Sequence, residues 1–104
     1  MMDRQRMLAL EKANDVRRKR RDFKLALREA GKVEAPDMLA DKIRNPPDWL
    51  ATARAGEVLT WCPFVGANKA KRMLGGEVKP STSLDSLTQR QRTHLIGKLR
   101  ARAE

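Results

Sequence analysis

One long segment limits the fold more than any other feature of the sequence. Residues 3–30 contain neither Gly nor Pro, and Gly31 follows them. A run of that length without a helix breaker, followed by Gly, is typical of a single helix that ends at a left-handed glycine. At about 1.5 Å per residue such a helix is about 40 Å long, more than the diameter of a domain built from so short a chain. The sequence therefore predicts a helix that extends beyond the core.

This helix has two unlike faces. At 100° per residue, Val16, Phe23, Leu27 and Ala30 share an apolar face, and the opposite face is basic. The apolar face predicts contact with the core, and the basic face predicts contact with a polyanion. The candidate DNA-binding residues of this helix are Arg17, Arg18, Arg20, Arg21, Lys24 and Arg28.

The rest of the chain predicts shorter helices. We expect them over residues 36–44, 48–61, 68–74 and 89–102, the last one opened by a capping box of Thr88 and Gln91. Leu84 and Leu87 anchor the polar loop before it. No segment alternates as a strand does, so the expected fold is all-α, with a long basic N-terminal helix (1–31) and a small helical domain (32–104).

Charge narrows the classes of partner. Lys and Arg number 23 against 13 Asp and Glu, a net charge of +10, and both ends of the chain are more basic than its middle. Such a balance favours nucleic acid. No apolar run approaches the roughly 20 residues of a membrane span. With one cysteine, Cys62, and no metal-ligand spacing, we expect a cytoplasmic protein without a metal or cofactor.

The stretch CPFVGANKAKRML, residues 62–74, has the helix-hairpin-helix pattern. Pro63 and an apolar pair precede Gly66, and the small Ala70 follows at the spacing that allows close helix packing. We expect Gly66 to make the tight turn and Asn68 to cap the next helix. Backbone amides at such a turn bind a phosphate oxygen without side-chain specificity.

Cations surround this hairpin. Lys69, Lys71 and Arg72 are predicted near the N-terminus of the helix, where positive charge opposes the helix dipole. A cluster in that place indicates that anions bind there. Pro63, Phe64 and Val65 are expected to fix the turn to the core.

Four stretches together resemble the actinobacterial integration host factors: ALEKANDVRRKRRDFKLAL, VLTWCPFVGANKAKRML, VKPSTSL and LTQRQRTHLIGKL. The resemblance implies a helix-two-turn-helix domain and a nucleoid-associated, non-enzymatic protein that bends or compacts duplex DNA. It also implies help to phage site-specific integration, with a phage integrase complex as a partner. By analogy, the segment 64–69 and the last-helix residues Arg90 and Arg92 contact the DNA backbone, and the long helix supplies a second DNA surface.

The chain departs from this family after Pro80. The family carries adjacent arginines there, whereas this chain has Ser81, Thr82 and Ser83. Hydroxyls donate to phosphate more weakly than guanidinium, so Thr82 and Ser83 are weaker candidate contacts. The divergence is compatible with a bacteriophage-encoded relative that acts in the host cytoplasm.

The sequence leaves other functions open. A structured-RNA or ribosome-binding protein can use the same helix-hairpin-helix module. An enzyme is disfavoured because His94 is the sole histidine. Acidic pairs such as Glu34/Asp37 and Asp37/Asp41 lie at predicted helix starts, where carboxylates favour the helix dipole. A coiled-coil dimer is disfavoured because the apolar face of the long helix is not a sustained heptad, so we expect a monomer.

Overall fold

The structure is a computed structural model that describes residues 4–103, with side chains described as far as residue 101. Its elements are α1 (Arg4–Arg44), α2 (Asp48–Ala51), α3 (Ala55–Thr60), α4 (Ala67–Leu74), a 3-10 turn (Leu84–Ser86) and α5 (Gln89–Ala103). Within residues 4–103 there is no strand, and one isolated bridge pairs Arg54 with Ser83. The all-α prediction and the long N-terminal helix are confirmed.

Helix α1 bends at Gly31. Its φ of 82° and ψ of −174° are not helical, so α1 consists of an N-terminal arm, residues 4–30, and a C-terminal arm, residues 32–44. The predicted helix end at this glycine is confirmed. The predicted start of the next helix at Pro36 is wrong, because the C-terminal arm begins directly after the bend. Pro36 is fully buried, so packing explains its place one turn into the arm.

The N-terminal arm belongs only partly to the core. Every residue from 4 to 14 is exposed, including Met7, Leu8 and Leu10, whereas Phe23 and Leu27 are buried. The principal extents of 54 × 30 × 22 Å reflect this elongated shape. The two-faced character predicted for the helix is confirmed, since the basic residues opposite Phe23 are exposed.

A single aliphatic core joins the elements. Helix α5 packs along α1, and its residues Leu95, Ile96 and Leu99 are buried. The ring of Phe23 meets Trp49 edge-on at 5.7 Å and Trp61 at 6.5 Å. The core is therefore continuous across the bend that separates the two predicted regions of the chain.

The predicted helix over 48–61 is wrong, because residues 52–54 interrupt it. The interruption pairs with the loop that precedes the 3-10 turn: the Ala55 amide donates to the Thr82 carbonyl at 2.8 Å, and the Leu84 amide donates to the Ala53 carbonyl at 3.0 Å. These bonds use backbone groups that a continuous helix would pair internally. Tertiary pairing therefore overrides the local helical pattern. Leu84 and Leu87 are buried as predicted.

The last helix begins as expected. The Gln91 amide donates to Thr88 Oγ1 at 3.1 Å, and the Thr88 amide donates to Gln91 Oε1 at 2.9 Å. This reciprocal pair is the predicted capping box, and it satisfies two backbone donors that a helix start leaves free.

Candidate nucleic-acid interface

Residues 61–66 form a tight connection between α3 and α4. The Cys62 amide donates to the Leu59 carbonyl at 3.2 Å, and the Val65 amide donates to the Cys62 carbonyl at 3.2 Å. Cys62 and Val65 are buried, so the base of the hairpin is fixed to the core.

Phe64 makes the turn. Its φ of 67° is in the left-handed region, and it is the one non-glycine residue of the described chain with a positive φ. The prediction that Gly66 makes the turn is wrong, since its φ of −87° and ψ of 178° are extended angles open to any residue. A left-handed backbone costs a bulky residue about 1–2 kcal/mol. The expectation that Phe64 helps to fix the turn to the core is wrong, because its side chain is 70% exposed. Burial therefore does not offset that cost.

Gly66 is the N-cap of α4. A Cβ at this position would meet nothing within 4 Å, so neither backbone angles nor packing requires a glycine there. No side chain caps the helix, and the prediction that Asn68 does so is wrong. Within the described residues no acceptor takes the amide hydrogens of residues 66–69. The start of α4 therefore presents bare amide donors beside a residue without a side chain.

A shallow groove of about 860 Å³ joins this hairpin to the N-terminal arm of α1. Lys24 and Arg28 come from α1, and Phe64 and Gly66 come from the hairpin. The sequence assigns these residues to two surfaces, but the bend and core packing bring them to one. We call this feature the hairpin groove; it is lined by Lys24, Arg28, Gly31, Glu57, Thr60, Trp61, Cys62, Pro63, Phe64, Val65 and Gly66.

Two further lysines lie beside the hairpin groove. Lys32 Nζ is 5.9 Å from the centre of the Phe64 ring, and Lys69 Nζ donates a long, exposed hydrogen bond of 3.4 Å to the Phe64 carbonyl. Both ammonium groups are exposed. Four cations thus come from three segments of chain around one turn.

Lys71 and Arg72 are exposed but lie in the last turn of α4. The expectation that they oppose the dipole at the start of the helix is wrong, because α4 has only 8 residues and cations favour its C-terminus. Of the three predicted cations, Lys69 alone lies near the helix N-terminus.

Internal hydrogen bonds engage several candidate DNA-binding side chains. Arg20 Nε donates to the Trp49 carbonyl at 2.8 Å, and its Nη2 donates to Thr52 Oγ1 at 3.0 Å. Arg92 Nη2 donates to the Leu84 carbonyl at 3.1 Å. Ser83 Oγ donates to Asp85 Oδ1 at 2.6 Å, and Thr82 is half-buried. The bonds of Arg20 and Arg92 connect separate elements of the fold, whereas the Ser83 bond is local. The sequence contains no signal for these contacts.

Arg90 and Arg92 lie on different sides of α5. Arg90 lines a hollow of about 420 Å³ with Gly76 and His94. Arg92 lines a smaller one of about 310 Å³ with Arg44 and Arg100. A DNA backbone that binds one side of α5 therefore does not contact both predicted arginines.

The outer part of the N-terminal arm has a separate basic hollow. Arg17, Arg18 and Arg21 line it together with Asp15. Asp15 pairs with Arg18 at 2.7 Å and with Lys19 at 3.1 Å, and the hydrogen bond from Arg18, followed by that from Lys19, lowers the pKa of its carboxyl. Part of the positive charge of this hollow is therefore compensated within the helix.

No family model, curated protein or solved structure matches the chain. Among the residues described, no group of three or more His, Cys, Asp or Glu is placed to hold a metal ion. None of the helices described combines the length and apolarity that a bilayer crossing requires.

Proposed function

We propose that the protein is a non-enzymatic, double-stranded DNA-binding architectural protein of the integration-host-factor kind. In this proposal the elements α3 and α4 serve as a helix-hairpin-helix module within a helix-two-turn-helix domain. The module binds the phosphate backbone without reading sequence, and the bound protein bends or compacts the duplex. One observation carries the proposal: the hairpin groove unites the open N-terminus of α4 with Lys24 and Arg28 of α1.

The amides at the start of α4 suit a phosphate oxygen. Among the residues that the structure describes, no acceptor takes the amides of residues 66–69, and the missing side chain of Gly66 leaves room for close approach. The dipole of α4 favours negative charge at this end. The space left open at Gly66 has no use inside the protein, which supports an external ligand for this position.

The cations around the groove suit a chain of phosphates better than a single anion. Lys24 and Arg28 line the groove from α1, and Lys69 of α4 lies at the hairpin beside the Phe64 carbonyl. Exposed cations that neutralise several phosphates release counterions, and that release supplies most of the affinity of sequence-tolerant binding. The exposed arginines of the outer arm, Arg17 and Arg21, extend the basic surface along α1.

The hairpin groove lacks the groups that hydrolysis uses. Glu57 is the single carboxylate among its lining residues, and no histidine lines it. General acid–base hydrolysis uses paired proton donors and acceptors near the reacting atoms. The groove chemistry therefore favours binding over catalysis.

Salt titration tests the proposal. Binding of a fluorescent 30-base-pair duplex is measured from 50 to 200 mM salt, with a structured RNA hairpin of the same length as competitor. If the protein makes 6–10 phosphate contacts, affinity falls by roughly 10³–10⁵ over this range. A flat salt response contradicts the proposal, and preferential binding of the RNA favours the structured-RNA or ribosome-binding alternative.

Bending and partners need separate measurements. Ligase-catalysed circularisation of short duplexes reports bending or compaction, which the protein is expected to accelerate. Sedimentation without DNA reports the expected monomer, and addition of a phage integrase with its attachment site reports whether the protein assists recombination. Nucleoid association in cells follows from the same binding mode and is tested by imaging.

A further inference from the structure

Phe64 is the most exposed of the large apolar side chains in the described chain. Of the other three aromatic residues, Phe23 is buried, and Trp49 and Trp61 each meet its ring edge-on at the edge of the core. Phe64 instead lies at the tip of the hairpin with 70% of its surface exposed. A core role does not explain this ring.

The backbone of Phe64 strengthens this point. Its φ of 67° is a conformation that glycine adopts freely and that phenylalanine strongly disfavours. The chain nevertheless has an aromatic residue at the turn and gains little burial from it. An exposed ring in a strained conformation is characteristic of a binding position.

The surroundings of the ring identify the kind of partner. Lys24 and Arg28 line the same groove, and the Lys32 ammonium lies 5.9 Å from the ring centre. The cations attract a polyanion, so the ring needs an apolar surface on that same partner. In duplex DNA the apolar surface lies between the stacked bases. Apolar wedges of this size unstack a base step and kink the duplex by 20–90°.

We infer that Phe64 is a wedge that inserts between adjacent base pairs of duplex DNA and kinks it at the hairpin. This inference rests on the proposed function and adds a mechanism of bending to it. Pyrimidine–purine steps such as TA unstack most easily, so the wedge favours them although the backbone contacts do not read sequence.

The test compares Phe64→Gly with Phe64→Trp and with Leu25→Ala. Glycine suits the left-handed turn, so Phe64→Gly removes the ring without disturbing the fold. Leu25 is also exposed, at 48%, but does not line the hairpin groove, and its variant controls for general loss of apolar surface. The thermal midpoint of free Phe64→Gly is expected to equal or exceed that of the parent.

The measurements are the end-to-end distance of a doubly labelled 30-base-pair duplex and the fluorescence of 2-aminopurine beside a central TA step. The parent is expected to shorten the duplex and to brighten 2-aminopurine at least twofold. Phe64→Gly is expected to lose most of both signals while its affinity falls by no more than about tenfold, because phosphate contacts remain. Phe64→Trp and Leu25→Ala are expected to behave like the parent.

The outcomes separate the two proposals. If Phe64→Gly bends and unstacks DNA like the parent, the wedge is overturned and the proposed function stands. If Phe64→Gly loses the bending and 2-aminopurine signals only on duplexes with a bulged base, the wedge is overturned. That result would favour stacking of Phe64 on unpaired bases. If the parent does not bind duplex DNA, both proposals are overturned.

Discussion

Gly56 of α3 and Pro80 of the following loop are in direct contact, and no side chain fits between them. A Cβ on Gly56 would lie 2.6 Å from the Pro80 Cβ and 3.1 Å from the Pro80 carbonyl oxygen. The Gly56 amide also donates to that carbonyl at 3.0 Å. Gly56 is therefore present because the loop approaches closely, although glycine weakens a helix.

Replacement of Gly56 by alanine is expected to destabilise the protein. The added methyl group must displace the Pro80 backbone, and overpacking of this kind costs about 1–3 kcal/mol. Gly97 is the matched control, because it lies in α5 and a Cβ added there would meet nothing within 4 Å. Gly97→Ala is expected to stabilise by about 0.5–1 kcal/mol through helix propensity. Urea denaturation measures both, and equal stabilities of Gly56→Ala and the parent would contradict the close approach.

The same contact shows where sequence patterns stop being informative. The end of the first helix at Gly31 and the capping box of Thr88 are local signals, and the structure confirms both. The break at residues 52–54 is not local, since it depends on hydrogen bonds to a loop about thirty residues further along the chain. A periodic apolar pattern contains no information about such a partner.

The candidate site was predictable to a similar degree. The sequence locates the connection between α3 and α4 and puts Lys69 near the start of α4, but it puts Lys71 and Arg72 at the wrong end of that helix. The sequence does not reveal that Phe64 adopts a positive φ, since phenylalanine is an improbable residue for that conformation. Nor does the sequence place Lys24 and Arg28 beside the hairpin. Their position depends on how α1 packs on the core through the buried residues Phe23 and Leu27.

Two arginines one turn apart on α1 are expected to differ in their roles. Arg20 bonds to Trp49 and Thr52, so Arg20→Gln is expected to lower the free energy of unfolding by about 1–2 kcal/mol with little effect on DNA affinity. Arg17 is exposed, so Arg17→Gln is expected to leave stability within about 0.5 kcal/mol and to reduce the salt slope of DNA binding by about 1. Denaturation and salt titration of both variants provide the measurement. A stability loss confined to Arg17→Gln would contradict this assignment.

Gly66→Asp is expected to change stability and DNA binding in opposite directions. Aspartate is at least as good an N-cap as glycine and its charge favours the dipole of α4, so stability should hold or rise by a few tenths of a kcal/mol. The same carboxylate occupies the place proposed for a phosphate, so duplex affinity should fall more than tenfold. The control is Gly76→Asp, which adds the same charge at an exposed glycine outside the hairpin groove and should cost much less. Equal losses in the two variants would show that net charge, and not this site, controls binding.

Glu57 provides a test in which binding should improve. Its exposed side chain lines the hairpin groove among Lys24 and Arg28, where a negative charge repels a phosphate. Glu57→Gln keeps the shape and removes the charge, so duplex affinity at 100 mM salt is expected to rise by about two- to fivefold, as a repulsion of up to about 1 kcal/mol implies. Glu57 also lies in the first turn of α3, so the variant should lose about 0.3–1 kcal/mol of stability from the helix dipole.

Glu77→Gln is the control for net charge, because Glu77 is exposed and lines the hollow beside Arg90 instead. Tighter binding by Glu57→Gln alone would locate the DNA at the hairpin groove, whereas an equal gain in both variants would contradict that location.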